Sequence, residues 1–286
     1  MISLSRPLGN STVNKNNQVA LIATGKTESY RDISSRASRR QFFVWWCRYP
    51  KGDRLASYAQ PSAENMMNLF RLCGDMFHVI SIVVLLLRLK AIRNANGISI
   101  KTQELYLLVF LTRYLDLFTT FYGLYNSLMK VLYISVTAYI IYMVRRTEPF
   151  KKEYDADTRD SFKHWHYAVA PCVALAIITN LIQGFNFVEM LWTFSIYLEA
   201  IAIIPQLIVL QRFREVENLT GHYVFLLGAY RGLYILNWVY RSYYEPYYKH
   251  NWVVYGCGVV QTCLYLDFFY YYSQSTYRGG KIILPS

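Results

Sequence analysis

The chain has 286 residues, of which 54% are apolar and 17% aromatic while only 17% are charged. Soluble domains carry about a quarter charged residues, so this composition excludes an ordinary soluble surface, a disordered chain and a small disulfide scaffold. The 30 Lys and Arg against 18 Asp and Glu give +12, but the basic residues are spread through loops between apolar runs, which argues against nucleic acid as a partner. A membrane protein rich in interfacial aromatic rings is the reading that remains.

Charge divides the chain near Met67. Residues 1–66 hold ten basic and four acidic residues and are rich in Ser, Asn, Lys and Arg. Their single apolar cluster, Phe42 to Trp46, is far below the roughly 20 residues of a spanning helix. Poor order is expected there, and no apolar stretch with a small-residue cleavage site suggests a secretory signal. Met66 and Met67 stand directly before the first apolar run, so two readings stay open: a translated extension, or translation that starts at one of these methionines.

From Met67 onward the apolar runs predict seven spans, at about 68–90, 101–122, 126–145, 165–182, 188–210, 221–242 and 252–273. Charges inside the first, second and sixth weaken them on hydropathy, and six spans is the alternative count. The loops joining spans one to two, three to four and five to six, with the C-terminus, hold the basic residues, among them Arg88, Lys90, Arg93, Arg145, Arg146, Lys151, Lys152, Arg212 and Arg214. The opposite loops offer only Lys130 and Lys249. Positive charge marks the cytosolic side, so span one is expected to start outside and the C-terminus to be cytosolic. The sequon at Asn218 is then cytosolic and unmodified, and that at Asn10 faces the lumen if the extension crosses. The five cysteines lack a C-x-x-C pair or a nearby His cluster, and no metal or cofactor is expected.

Charges in hydrocarbon cost several kcal/mol, so each ionisable group within a span needs a partner or a cavity. Arg71, Asp75 and His78 share one face of span one, and Arg113 and Asp116 one face of span two. Span five carries Glu189 near its outer end, Trp192 three residues on and Glu199 deeper, where it should be paired. Span six presents Tyr230, Arg231, Tyr234, Asn237, Trp238 and Arg241, of which 231, 234, 238 and 241 form one stripe, and span seven adds Asp267 as a further buried acid. Arg231 has Glu199 or Asp267 as a candidate partner. Arg71, Arg113 and Arg241 approach from three helices, with Arg113 expected in mid-span. Together they would repel unless an anionic guest or several carboxylates sat among them, and guanidinium forks suit carboxylates and phosphates.

The segments MNLFRLCGDMFH at 67–78, RYLDLFT at 113–119, LWTFSIYLEA at 191–200, YRGLYILNWVYR at 230–241 and DFFYYY at 267–272 resemble, in order and near-constant spacing, those of the KDEL receptors. The resemblance covers 67–286. It implies an all-α integral membrane fold of seven transmembrane helices, similar to SWEET-type sugar transporters in pairing two three-helix bundles through a linking helix. It also implies a receptor, not an enzyme, that binds the C-terminal tetrapeptide signal (KDEL or HDEL type) of escaped endoplasmic reticulum lumenal proteins in the acidic Golgi. Such receptors return their cargo in coated vesicles and release it at neutral pH.

By that resemblance Arg113 takes the peptide's terminal carboxylate, Arg71 and Arg241 hold its acidic groups, and Asp116 and Glu189 face its lysine. Tyr234 and Trp238 line the pocket, Tyr114 and Asn237 also bind the signal, and Trp192 lies where the residue before the last three is sensed. His78 is the pH-sensing histidine, coupled to helix movement through Glu199, Tyr230, Arg231 and Asp267. The tail departs from the family pattern: the usual lysine-rich segment is replaced by one holding Arg278 and Lys281, with Ile283 where a regulatory serine is usual. These two basic residues are what remains for a COPI-type coat. A second function class is a SWEET-like carrier of small solutes, for which Pro205-Gln206 in span five would speak, and a third is a seven-helix G-protein-coupled receptor, whose acid-arginine motif is not apparent in span three.

Overall fold

A computed structural model of the chain describes residues 68–118, 123–245, 248, 250–278 and 282–284. The extension over 1–66, Lys249 and Lys281 lie outside the described residues. Helices α1 (Leu69–Ile92), α2 (Ile100–Arg113), α3 (Leu124–Arg146) and the short α4 (Phe150–Ala156) come first. After them come α5 (Ala170–Gln183), entered through a π-helical turn at Trp165–Val169, and then α6 (Phe187–Ile201) and α7 (Ile204–Phe213). The last helices are α8 (Asn218–Tyr244), α9 (Trp252–Leu264) and α10 (Leu266–Arg278). A two-stranded antiparallel ribbon pairs β1 (Glu215–Val216) with β2 (Ile282–Ile283), Glu215 opposite Ile283 and Val216 opposite Ile282.

Among the described residues, four helical runs are long and apolar enough to cross a membrane: α1, α3, Trp165–Ile182 and the α6–α7 run Phe187–Phe213. Helices α9 and α10, bent by 41° at Tyr265, make a fifth if taken as one span. Apart from the ribbon, the regular elements of the described residues are helical, with the segments of a multi-pass membrane protein. The first expected span meets the test despite its charges, whereas α2 and α8 do not. Helix α2 has 14 residues, about 21 Å at 1.5 Å per residue, short of the hydrocarbon thickness.

The second expected span is corrected in a way that matters for the site. Helix α2 does not run on to residue 122; it stops at Arg113, where the Tyr114 N–H bonds the Phe110 carbonyl, and a 3₁₀ turn follows at Leu115–Phe118. Arg113 is thus the last residue of a helix. A second break falls between α6 and α7, three residues beyond Glu199, where Pro205 can supply no backbone N–H to the preceding turn.

Packing is built on small residues and close-packed side chains, as in other membrane bundles. Helix α1 lies along α8, α2 between α3 and α6, and α6 also touches α5 and α9. At Gly74 a Cβ would stand 3.0 Å from the Tyr234 ring, and at Gly258 one would stand 2.6 Å from Trp238; both glycines let an aromatic ring of α8 lie on a neighbouring backbone. Leu85 and Leu89 of α1, Val109 of α2, Ile140 and Val144 of α3, Leu198 of α6 and Val224 of α8 are sealed in the core. Leu124, Leu128, Tyr142, Ile178 and Leu181 face outward, as lipid contact requires.

One end of the bundle is closed by buried polar clamps. Gln206 is fully buried: its Oε1 accepts from the Ser99 N–H at 2.8 Å, its Nε2 donates to the Gly97 carbonyl at 2.7 Å, and its own N–H bonds Thr102 Oγ1 at 3.0 Å. Asp160 caps α2 by accepting from Ser99 Oγ and the Ile100 N–H, and takes the Tyr154 hydroxyl at 2.6 Å. Burial and the Asp160 carboxylate beside it push the Tyr154 phenol well above its ordinary range. Pro205-Gln206, the feature that would favour a carrier, is spent on holding the α1–α2 loop.

Candidate functional site

Two arginines of different helices converge on Glu199. Its side chain is buried, and two guanidiniums share it: Arg113 Nη1 at 2.5 Å on Oε2, and Arg231 Nη2 on Oε1. Arg113 is fixed further by Nε to Ser195 Oγ at 3.1 Å and Nη2 to the Ser195 carbonyl at 3.0 Å. The end of α2 thereby presents its arginine fork to one turn of α6. Of the two partners open to Arg231, Glu199 is the one found, and the deeper carboxylate of α6 is paired as its burial demands. Two positive charges against one negative leave the cluster with a local excess of +1.

Tyr230 joins this cluster to His78. Its hydroxyl donates to Glu199 Oε1 at 2.9 Å, and its ring stacks on the buried His78 imidazole with centroids 4.3 Å apart and planes at 6°. Tyr133 covers the other side at 4.5 Å, with Phe110 at 5.9 Å. Asp75, on the same face of α1 as His78, accepts from the hydroxyls of Tyr125 at 3.0 Å and of Tyr234. The expected shared face of Arg71, Asp75 and His78 is present, with Asp75 and His78 buried and Arg71 half-buried.

Arg71 in the first turn of α1 and Arg241 in the last turn of α8 lie toward the same end, where Asn68 Nδ2 donates to Asn237 Oδ1 at 2.6 Å. Trp238 lies against Tyr255 with centroids 5.3 Å apart. Trp192 gives its carbonyl to Ser195 Oγ at 2.6 Å and keeps its ring exposed, and Glu189 is exposed in the first turn of α6. Tyr114 stacks on Phe110 at 5.7 Å.

Carboxylates sit among the arginines, one of the two arrangements expected: Arg113 holds Glu199, and Arg241 holds Glu245 with Nε and Nη2 both at 2.9 Å from carboxylate oxygens. Two expectations about the acids change. Arg113 and Asp116 do not share a helical face, because the 3₁₀ turn carries Asp116 to the buried Lys130 of α3, 2.7 Å away. Asp267 is no buried acid of the cluster. It is exposed at the second position of α10, where the inward face is taken by Tyr265 and Phe268 and a helix N-terminus suits a carboxylate. Cys263, near it, is also exposed.

Sequence reasoning missed Lys130 and Glu245 as partners within the site, and it placed Asp75 on a face without assigning it a role. Glu245 stands at i+4 from Arg241 and Lys130 lies in an otherwise apolar run, so both signals were present. In the tail Arg278 is exposed. Beyond it Ile282 and Leu284 are buried, with the Leu284 N–H on the Arg214 carbonyl at 2.8 Å.

A family model described as ER lumen protein retaining receptor matches residues 94–241, which include Arg113, Glu199, Tyr230 and Arg231. The chain is 52% identical over 220 residues to the ER lumen protein-retaining receptor of Petunia hybrida, covering 77% of this chain and all of the petunia protein. The chain belongs to the ER lumen protein-retaining receptor family. Receptor B of Arabidopsis thaliana is 50% identical over the same shares of both chains, and the Plasmodium falciparum receptor is 45% identical over 77% of this chain and 98% of its own. The family is one of receptors for proteins retained in the endoplasmic reticulum lumen and not a known enzyme family.

Proposed function

We propose that this family member is a pH-dependent retrieval receptor. It binds the C-terminal K/HDEL-type tetrapeptide of escaped endoplasmic reticulum proteins in the Golgi and returns them in coated vesicles. In this reading the helices form seven spans: α2 with its 3₁₀ turn is the second, α8 the sixth and α9–α10 the seventh, in a SWEET-like pair of three-helix bundles. Residues before Met67 are a separate basic extension. The N-terminal end of α1 faces the lumen and the C-terminus the cytosol, where Arg278 and Lys281 are offered to a COPI-type coat.

The observation that carries the proposal is the Glu199 cluster, with two arginines on one carboxylate and an aromatic bridge to a histidine. An excess positive charge beside Arg113 attracts a terminal carboxylate, and Arg71 and Arg241, near one end, suit the acidic side chains that precede it. Tyr114, Tyr234, Asn237, Trp238 and Trp192 line the approach, while Asp116 and Glu189 offer carboxylates to the signal's lysine. Histidine is the side chain whose charge changes between pH 5 and 8. A proton on His78 adds positive charge close to the anionic guest, and by linkage the guest favours that proton. Tyr230, Glu199 and Arg231 pass the change to α6 and α8.

The test is binding of a synthetic peptide ending in KDEL or HDEL to the purified full chain, against the same peptide with an amidated C-terminus. Saturable binding that amidation abolishes, and that Arg113→Gln abolishes, is expected. No binding of either free-acid peptide at any pH, together with flux of a small solute in vesicles, would replace the receptor by a carrier.

A further inference from the structure

Three of the charges proposed to meet the peptide are already met from within the chain. Arg113 holds Glu199, Asp116 holds Lys130, and Arg241 holds Glu245. The last pair differs from the other two in where it sits. Glu199 belongs to the deep cluster with Arg231, and Lys130 is buried, but Glu245 is the residue after the final turn of α8, with its backbone N–H on the Arg241 carbonyl at 2.9 Å.

That is a poor place for a carboxylate. The C-terminal end of a helix carries the negative end of the macrodipole, and an acid four residues after its basic partner is the weaker orientation of an i,i+4 pair. What holds Glu245 there is Arg241, which grips it through Nε and Nη2, the side-on edge by which a guanidinium takes a carboxylate in bidentate fashion. The Tyr248 ring lies 4.7 Å from the guanidinium carbon, and the Arg241 and Glu245 side chains are only 15% and 10% exposed. A ligand carboxylate seeking the same edge meets it occupied.

Building on the receptor reading, we infer that Glu245 is a built-in competitor for Arg241: it stands in for an acidic side chain of the signal peptide and is displaced when the peptide binds. The exchange replaces one ion pair by another, so Arg241 is never left bare, and affinity for acidic signals is set lower than the arginine alone would give. Glu245 is therefore a specificity-determining residue that acts through Arg241.

The experiment compares the unsubstituted full chain with Glu245→Gln, near-isosteric and uncharged, in binding of two peptides at one acidic pH. One peptide ends in Lys-Asp-Glu-Leu. In the other the Asp and Glu are replaced by Asn and Gln while the terminal carboxylate is kept. Glu245→Gln is expected to tighten the acidic peptide roughly three- to tenfold and to leave the neutral one unchanged. Unchanged or weaker binding of the acidic peptide overturns the inference and makes Glu245 a residue that merely orients Arg241. An equal gain for both peptides also overturns it, since the effect would not run through the acidic side chains. If the unsubstituted chain binds no peptide, the receptor reading fails and this inference with it. Binding by the unsubstituted chain without the selective gain sinks the inference alone.

Discussion

Tyr230 lies flat on the His78 ring, 4.3 Å between centroids, and places its hydroxyl 2.9 Å from Glu199. One side chain therefore touches the histidine by its face and the shared carboxylate by its edge. Tyr230→Phe keeps the stack and removes the bond. A hydrogen bond to a charged group contributes about 1.5–3 kcal/mol, so the variant is expected to melt earlier in detergent and to bind signal peptide with a reduced ratio between acidic and neutral pH. A ratio equal to that of the unsubstituted protein would show that coupling bypasses the hydroxyl.

Glu199→Gln leaves two guanidiniums, the buried Arg231 and the half-buried Arg113, facing a neutral amide. Breaking a buried ion pair by removing one partner costs about 3–5 kcal/mol. The variant is expected to be the least stable of the single substitutions in the cluster, with thermal unfolding in detergent as the measurement. Arg113→Gln should cost less, because Glu199 keeps Arg231.

Gln206 satisfies the Ser99 N–H and the Gly97 carbonyl at the end of the bundle away from Arg71. Gln206→Leu strands both groups, and each unsatisfied buried group costs about 1–3 kcal/mol. A lower melting temperature is expected with peptide affinity per folded molecule unchanged. Loss of affinity in the folded fraction would tie the clamp to the site.

Asn218 of the sequon Asn218-Leu-Thr220 is exposed at the start of α8. If that end of the bundle is cytosolic, no glycan is added in cells. Mass analysis of the expressed protein before and after endoglycosidase checks this, and sugar at Asn218 would invert the proposed orientation.

Much of this was legible because intramembrane charges are scarce and must be paired. Glu199 could be assigned a deep partner, and Asp75 and His78 a common face, from helical spacing alone. The break at Arg113 was not legible: the apolar run continues past it, and what ends the helix is a tertiary preference, Arg113 for Ser195 and Glu199 on one side and Asp116 for Lys130 on the other. Asp267 misled for the converse reason. An acid in an apolar run reads as buried, but the 41° bend at Tyr265 gives it a helix N-terminus on the outer face. Glu245 sat at a spacing that any helix would pair, yet its place just past the expected end of the sixth span hid it.

Gating of an anionic peptide by His78, through Tyr230 and the Glu199 cluster, is tested by peptide affinity at about pH 5.5 and about pH 7.4 for the unsubstituted chain and for His78→Ala. The account predicts at least roughly tenfold tighter binding at the acidic pH, about 1.4 kcal/mol of coupling, and a ratio near one in the variant. Equal affinity at both pH values, or a ratio that survives loss of the imidazole, would contradict it.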